Sequence, residues 1–176
     1  MEQTRAILVR KTFFSESTLL CTWVSERYGK LKTSARGARK IKSQFRGLDL
    51  FHEVEIGFAR NQKSDLHFLK EVHVTLSFVP AGFSYPNLVL AAYFGELSES
   101  VLLASEVPAP EVFDLLMRGL RHLREANASL RALTHFENSL CTAIGVGGKN
   151  ALELLENYCS RLPRTRTLAL STLGSS

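Results

Sequence analysis

Cysteine is scarce in this chain of 176 residues: Cys21, Cys141 and Cys159 are all it has. The number is odd and no two stand in Cys-x-x-Cys spacing. That argues against a disulfide framework and predicts reduced thiols packed as small hydrophobes. The close ligand pairs of a structural zinc site are also missing, so no metal is expected. No apolar run approaches the roughly 20 residues that span a bilayer, and no membrane role is expected. Met1 to Arg5 lead into only Ala6 to Val9 before Arg10 and Lys11, which is too short for a secretory signal core. The expected compartment is the cytosol. The histidines (His52, His67, His73, His122, His135) are scattered, and the acidic residues form no metal-binding cluster. Nothing in the order of the chain points to a catalytic set, so the expectation is a protein that is not an enzyme and needs no cofactor.

Carboxylates are absent from one whole stretch. Between Arg27 and Arg46 stand Arg27, Lys30, Lys32, Arg36, Arg39, Lys40, Lys42 and Arg46, with no Asp or Glu. The segment carries +8, whereas the whole chain carries +5. Charge concentrated in this way makes a local positive field, the footprint of a surface that meets a polyanion. The bland alternative is a solvated face. Length, purity and arginine content favour nucleic-acid contact, in which Lys and Arg neutralise phosphates and release counterions. Gly37 and Ala38 are small enough to let a backbone approach. Tyr28 and Phe45 flank the cluster. Each is read either as a base-stacking ring or as core, with stacking assigned to Tyr28 and core to Phe45.

The first 80 residues read as strands. Ile7 and Val9, then Val54, Ile56 and Phe58, then Val72, Val74, Leu76 and Phe78 alternate with other side chains at period two. Thr18 to Val24 is rich in β-branched, leucine and aromatic residues, and Tyr28-Gly29 predicts a tight turn. The longest connection, about Arg36 to Leu50, carries most of the basic cluster. After Pro80 to Gly82 the period becomes helical. Leu88, Ala91, Ala92 and Gly95 share one face of a first helix. Val112, Leu115, Leu116, Leu120 and Leu123 stripe a second, with Arg118, Arg121 and Arg124 off the stripe. Asn127 is read as the cap of a third helix ending near Gly145, and Asn150 as the cap of a fourth. A last short helix is placed after Pro163. Gly145 to Asn150 looks like a phosphate loop but fails in detail. Ala143 stands where the first glycine belongs, and Asn150 follows the lysine in place of Ser or Thr.

Strands followed by helices predict an α+β chain with two domains, residues 1–80 and 81–176. Residues 1–80 hold 14 basic against 8 acidic side chains, and the remainder 8 against 9. The β-domain is therefore the basic one. A five-stranded barrel with a long connection between its third and fourth strands is the OB plan, a frequent host of single-stranded nucleic acid.

The segments that carry this pattern resemble the bacterial recombination mediator family RecO. Gly29 to Ser43 (GKLKTSARGARKIKS) and Arg46 to Ile56 (RGLDLFHEVEI) are the most specific part. Phe13 to Leu20 (FFSESTLL), Leu66 to Val72 (LHFLKEV), Pro110 to Leu116 (PEVFDLL) and Phe136 to Gly145 (FENSLCTAIG) also fit. The resemblance covers about residues 5 to 145. It implies an N-terminal OB-fold β-barrel followed by a C-terminal α-helical domain. It implies binding to single- and double-stranded DNA, annealing of complementary strands, and a RecR-like partner in loading recombinase onto coated DNA. It also implies contact between the helical domain and the acidic, apolar C-terminal tail of single-strand-binding protein. Many members continue further after the position of Gly145, some with two Cys-x-x-Cys pairs, where this chain has only Cys141 and Cys159. The helix that opens with basic residues in many members here reads Arg131 to Glu137 (RALTHFE).

On this reading Lys30, Lys32, Arg36, Arg39, Lys40, Lys42 and Arg46 line the DNA path with little sequence preference. The expected protein is a nucleoid-associated, cytoplasmic strand-annealing factor of recombinational repair. A protein-interaction adaptor that keeps the fold with little annealing is the alternative. Charge alone does not separate DNA from RNA.

Overall fold

The computed structural model describes residues 1–45, 48–78 and 83–174. The expected boundary at Pro80 to Gly82 and the expected contact residue Arg46 lie outside them. The chain runs β1 (Glu2–Phe13), β2 (Thr18–Ser25), β3 (Gly29–Arg36), β4 (His52–Ala59), β5 (Leu66–Ser77), then α1 (Tyr85–Val101), α2 (Pro110–Glu125), α3 (Leu130–Ala143), α4 (Ala151–Cys159) and α5 (Thr165–Leu173). It divides into two compact units, Met1–Ser77 with Ala104–Pro110, and Phe78–Leu103 with Glu111–Ser176. The segment Ala104–Pro110, which the sequence reading places with the helices, packs with the strands.

The first unit is a closed barrel in the order β1-β2-β3-β5-β4. This is the OB plan in an α+β chain. Closure depends on two long strands that each serve two neighbours. Glu2 to Ile7 of β1 pair with β4, while Ala6 to Phe13 pair with β2. β5 pairs with β4 over most of its length and meets β3 in parallel only from Leu66 to Phe68. A register shift between Leu8 and Arg10 bends β1 where it passes from one neighbour to the other. Strict alternation therefore fails in β1, where Ala6 to Val9 are all buried.

Trp23 sits at the centre of the barrel core, fully buried beside Leu8, Leu31, Ile56 and Phe58. An indole buried this way needs an acceptor for its N–H. It donates Nε1–H to Thr33 Oγ1 at 2.8 Å. Thr33 is a β3 residue whose neighbours Leu31 and Ala35 also enter the core.

The second unit is helical. α1 is capped by Ser84, whose Oγ accepts from the Asn87 N–H at 3.3 Å, with Pro86 in the first turn. The one-faced pattern expected of α1 is corrected. Val89, Leu90, Ala91, Tyr93, Phe94 and Leu97 are buried on several sides, while Leu88 is exposed. A helix surrounded by others has no polar face to show, so its sequence loses the period. α2 keeps the expected stripe, with Val112, Leu115, Leu116, Leu120 and Leu123 all buried. Ser129, not Asn127, caps α3, accepting from the Ala132 N–H at 3.1 Å. Both residue types cap well, and the two positions differ only by where the chain turns. Asn150 caps α4 as expected.

Candidate nucleic-acid interface

β3 sorts the basic residues by parity. Leu31, Thr33 and Ala35 enter the barrel, so Lys30, Lys32 and Arg36 stand on its outer side. Six residues of strand separate Lys30 from Arg36, about 20 Å. The cluster is therefore a stripe along one strand that turns into the loop, with Tyr28 and Lys30 at one end and Arg39, Lys40 and Lys42 at the other.

The loop after β3 is folded. Gly37 takes φ +77°, a left-handed conformation that lets β3 turn out of the sheet. A Cβ there would meet only the Lys40 chain, so the glycine serves the turn and not a packed contact. Short turns follow, from Lys40 N–H to Gly37 O at 3.1 Å and from Ser43 N–H to Lys40 O at 3.0 Å. The loop is pinned on three sides. Arg39 N–H donates to Ser17 O at 3.4 Å, Gln44 Nε2 to Lys70 O at 3.3 Å, and Phe45 is buried in the barrel core. Phe45 is core, as expected.

The basic side chains differ in how far they are neutralised. Lys32 pairs with Asp65 at 2.9 Å, and that hydrogen bond holds the Asp65 carboxyl below its ordinary value. Lys11 is similarly engaged by Asp49 at 2.7 Å. Arg36 lies 5.2 Å from the centre of the Phe68 ring, and Arg39 lies 4.6 Å from that of Phe13. Among the described residues no carboxylate lies within ion-pairing distance of Arg36, Arg39, Lys40 or Lys42. All four are exposed. Their field is uncompensated, and it is confined to the end of β3 and the loop.

Tyr28 is engaged elsewhere. Its ring stands edge-on to Phe58 at 5.4 Å, with Arg60 5.5 Å from its centre. Its hydroxyl hydrogen-bonds Glu2, which raises the Tyr28 pKa. Arg60 in turn bonds Glu2 at 2.5 Å and also Glu106. Glu106 accepts from His67 at 2.6 Å, and its N–H donates to Lys30 O at 2.9 Å. This network ties Ala104–Pro110 to the barrel at the Lys30 end of the stripe.

Sequence reasoning missed Phe13, Phe14 and Ile41. They are 73%, 69% and 101% exposed; Arg39 lies over the Phe13 ring, and Ile41 stands between Lys40 and Lys42 in the chain. The available signal was FFSESTLL itself, two phenylalanines ahead of a turn; it reads equally well as core.

The helical unit carries a groove of about 190 Å³, lined by Phe94, Leu115, Arg118, Gly119, His122, Ala132, His135, Phe136 and Ser139. Phe94 and Phe136 stack at 3.9 Å within it. A Cβ on Gly119 would lie 3.0 Å from Phe94 and 3.1 Å from Phe136, so the glycine lets α2 approach that stack. The groove is thus apolar with cationic or titratable side chains around it.

Among the described residues no group of three His, Cys, Asp or Glu is placed to hold a metal ion. Burial pushes the Cys21 thiol up to about 12, which makes it inert. Cys141 and Cys159 are also raised, chiefly by burial. No helix among the described residues is long and apolar enough to cross a membrane.

Residues 1–78 match the family described as Recombination protein O N terminal. The chain is 31% identical to the DNA repair protein RecO of Syntrophus aciditrophicus over 136 residues, 77% of this chain and 52% of that one. It is 30% identical to the RecO of Vibrio parahaemolyticus over 145 residues, 81% and 57% respectively, and 29% identical to that of Vibrio cholerae over 144 residues, 81% and 58%. The chain spans a little over half the length of these relatives. Residues 1–78, a closed OB barrel followed by helices, are thus a RecO N-terminal domain, and the chain is similar to RecO proteins over most of its own length.

Proposed function

We propose that this chain is a DNA-binding recombination mediator. It anneals complementary strands and helps a recombinase load onto single-stranded DNA coated by single-strand-binding protein, in recombinational repair. The observation that carries this reading is the exposed run Arg36, Arg39, Lys40 and Lys42, which has no carboxylate partner among the described residues. Lys30 and Lys32 extend the DNA path along β3, and Tyr28 stands at its far end; Arg46, outside the described residues, is assigned to the path from the sequence. Such a surface grips phosphates without reading sequence and accepts single- and double-stranded DNA. Annealing needs no covalent step: neutralised backbones approach each other while base edges stay free to pair. The relatives named DNA repair protein RecO support the process assigned.

In this reading residues 1–80 are the DNA-binding domain and residues 81–176 the partner-binding helical domain. The groove beside Phe94 and Phe136 suits the acidic, apolar tail of the coat protein. Its apolar floor takes the terminal side chains, and Arg118 faces the carboxylates. A RecR-like protein is the second partner, and the working compartment is the cytoplasm, at the nucleoid.

The test is annealing of complementary strands, bare and coated with single-strand-binding protein, at two salt concentrations. Salt-sensitive annealing of both supports a working mediator. Annealing of bare strands only removes the helical domain's role. DNA binding with no annealing, together with retention of the coat-protein tail, establishes the second reading: an adaptor that keeps the OB-fold.

A further inference from the structure

Two consecutive phenylalanines stand in solvent at the tip of the β1–β2 hairpin. Scattered exposed apolar residues need no explanation, but contiguous ones mark a binding surface. Phe13 is paired across the strands with Leu19, whose side chain enters the core. Cross-strand partners share a face, so Phe13 stands on that same face, beyond the end of the core. Its ring is held in place. The Arg39 guanidinium lies over it at 4.6 Å and also donates to Ser15 O at 3.4 Å. The hairpin tip is fixed as well, by Phe14 N–H to Thr18 O at 3.1 Å and Thr18 N–H to Ser15 Oγ at 3.2 Å. Ile41, on the loop that meets this tip, is fully exposed. A held aromatic ring, with a second exposed ring next to it in the chain and uncompensated positive charge beside it, matches a ligand with flat apolar faces and an anionic backbone. Single-stranded nucleic acid has both; a duplex hides its base faces.

We propose that Phe13 and Phe14 form a stacking step for unpaired bases, with Arg39, Lys40 and Lys42 holding the adjoining phosphates. This rests on the DNA-binding reading above and gives it a direction. The hairpin tip distinguishes single from double strands, which a basic surface alone does not do. Stacking is carried by the hairpin, and Tyr28, engaged by Glu2, Phe58 and Arg60, is not needed for it.

The test compares a thymidine oligonucleotide with an abasic strand of equal length and charge, using the full chain. The unaltered protein should bind the thymidine strand about 10-fold or more tightly, since stacking contributes that much per base. Phe13→Ala/Phe14→Ala should bind both strands with the weaker, abasic affinity and keep its salt dependence. Because both rings are exposed, the variant should fold. Phe13→Ala/Phe14→Trp should restore part of the preference, and its new indole emission should be quenched by the thymidine strand only. Equal, salt-dependent binding of both strands by the unaltered protein overturns the stacking step but leaves the DNA-binding reading in place. So does a preference that survives in the double alanine variant. Binding to neither strand overturns both. Phenylalanine-dependent binding to anionic vesicles with no preference for bases makes the tip a membrane contact and overturns the proposal.

Discussion

Arg166 on α5 donates its Nε–H to Glu137 on α3 at 2.7 Å, and the two side chains are only 19% and 4% exposed. Tyr93 on α1 donates its hydroxyl to the same carboxylate at 2.6 Å. Three helices are joined at one buried charge. Removing one partner of such a pair leaves the other uncompensated, which costs more than the pair contributes when intact. Arg166→Ala should therefore destabilise the helical unit by about 2–4 kcal/mol, slightly below the range for fully buried pairs because Arg166 keeps some water. Thermal unfolding followed by far-ultraviolet circular dichroism checks this. An unchanged helical transition would show that water replaces the guanidinium at little cost.

Gly29 has φ +58°, and a Cβ added there would lie 2.0 Å from the Val107 carbonyl oxygen. The atom in the way is backbone, so no rotamer change relieves it. Gly29→Ala should displace Ala104–Pro110 from β3 and cost more than about 3 kcal/mol, combining a left-handed strain with a steric clash. Trp23, the one tryptophan, reports the barrel's unfolding by its fluorescence. A shift of less than about 1 kcal/mol would mean that the segment moves aside freely.

The carboxyls that clasp that segment set a pH dependence. Hydrogen bonds from Arg60 and Tyr28 lower Glu2 below its ordinary 4.5. Burial pushes Glu106 up, but the hydrogen bonds of His67 and Arg60 outweigh it and it also ends below 4.5. A folded-state pKa below the unfolded value gives stability that is complete above the unfolded value and lost as pH falls through the folded one. Barrel stability should therefore be flat on this account above about pH 5 and decline toward about pH 3. Glu106→Gln should decline less over that window while starting lower. Parallel curves for the two proteins would remove Glu106 from the clasp.

Much of the fold was legible because it is local. Period-two runs marked β4 and β5, the α2 stripe marked its buried side, and Asn150 marked a helix start. What escaped depends on distant partners. The return of Ala104–Pro110 to β3, the engagement of Tyr28 by Glu2 and Arg60, and the neutralisation of Lys32 by Asp65 join residues far apart in the chain. Arg36, Arg39, Lys40 and Lys42 were named from composition, but their separation from Lys32 as unpaired charges was not. Phe13 and Phe14 were invisible as surface for the reason that Phe45 was ambiguous. A phenylalanine carries no sign of which side of a sheet it occupies.

The groove in the helical unit yields a test of partner choice. Arg118 is exposed beside the Phe94–Phe136 stack. Arg118→Glu should weaken a synthetic peptide of the coat-protein tail by about 10-fold, by placing like charge against its carboxylates. DNA binding should be unaffected. Unchanged peptide affinity would place the tail elsewhere or nowhere on this chain.

The most direct measurement is the salt dependence of binding to a single-stranded oligonucleotide, for the unaltered chain and for Arg36→Ala/Arg39→Ala/Lys40→Ala. Each phosphate contact on single strands adds about 0.7 to the slope of log affinity against log salt. If the β3 loop is the DNA contact, the triple variant binds more weakly and its slope flattens by about 2. An unchanged slope, even with weaker binding, would mean that these three side chains touch no phosphate, and the DNA path would have to lie elsewhere.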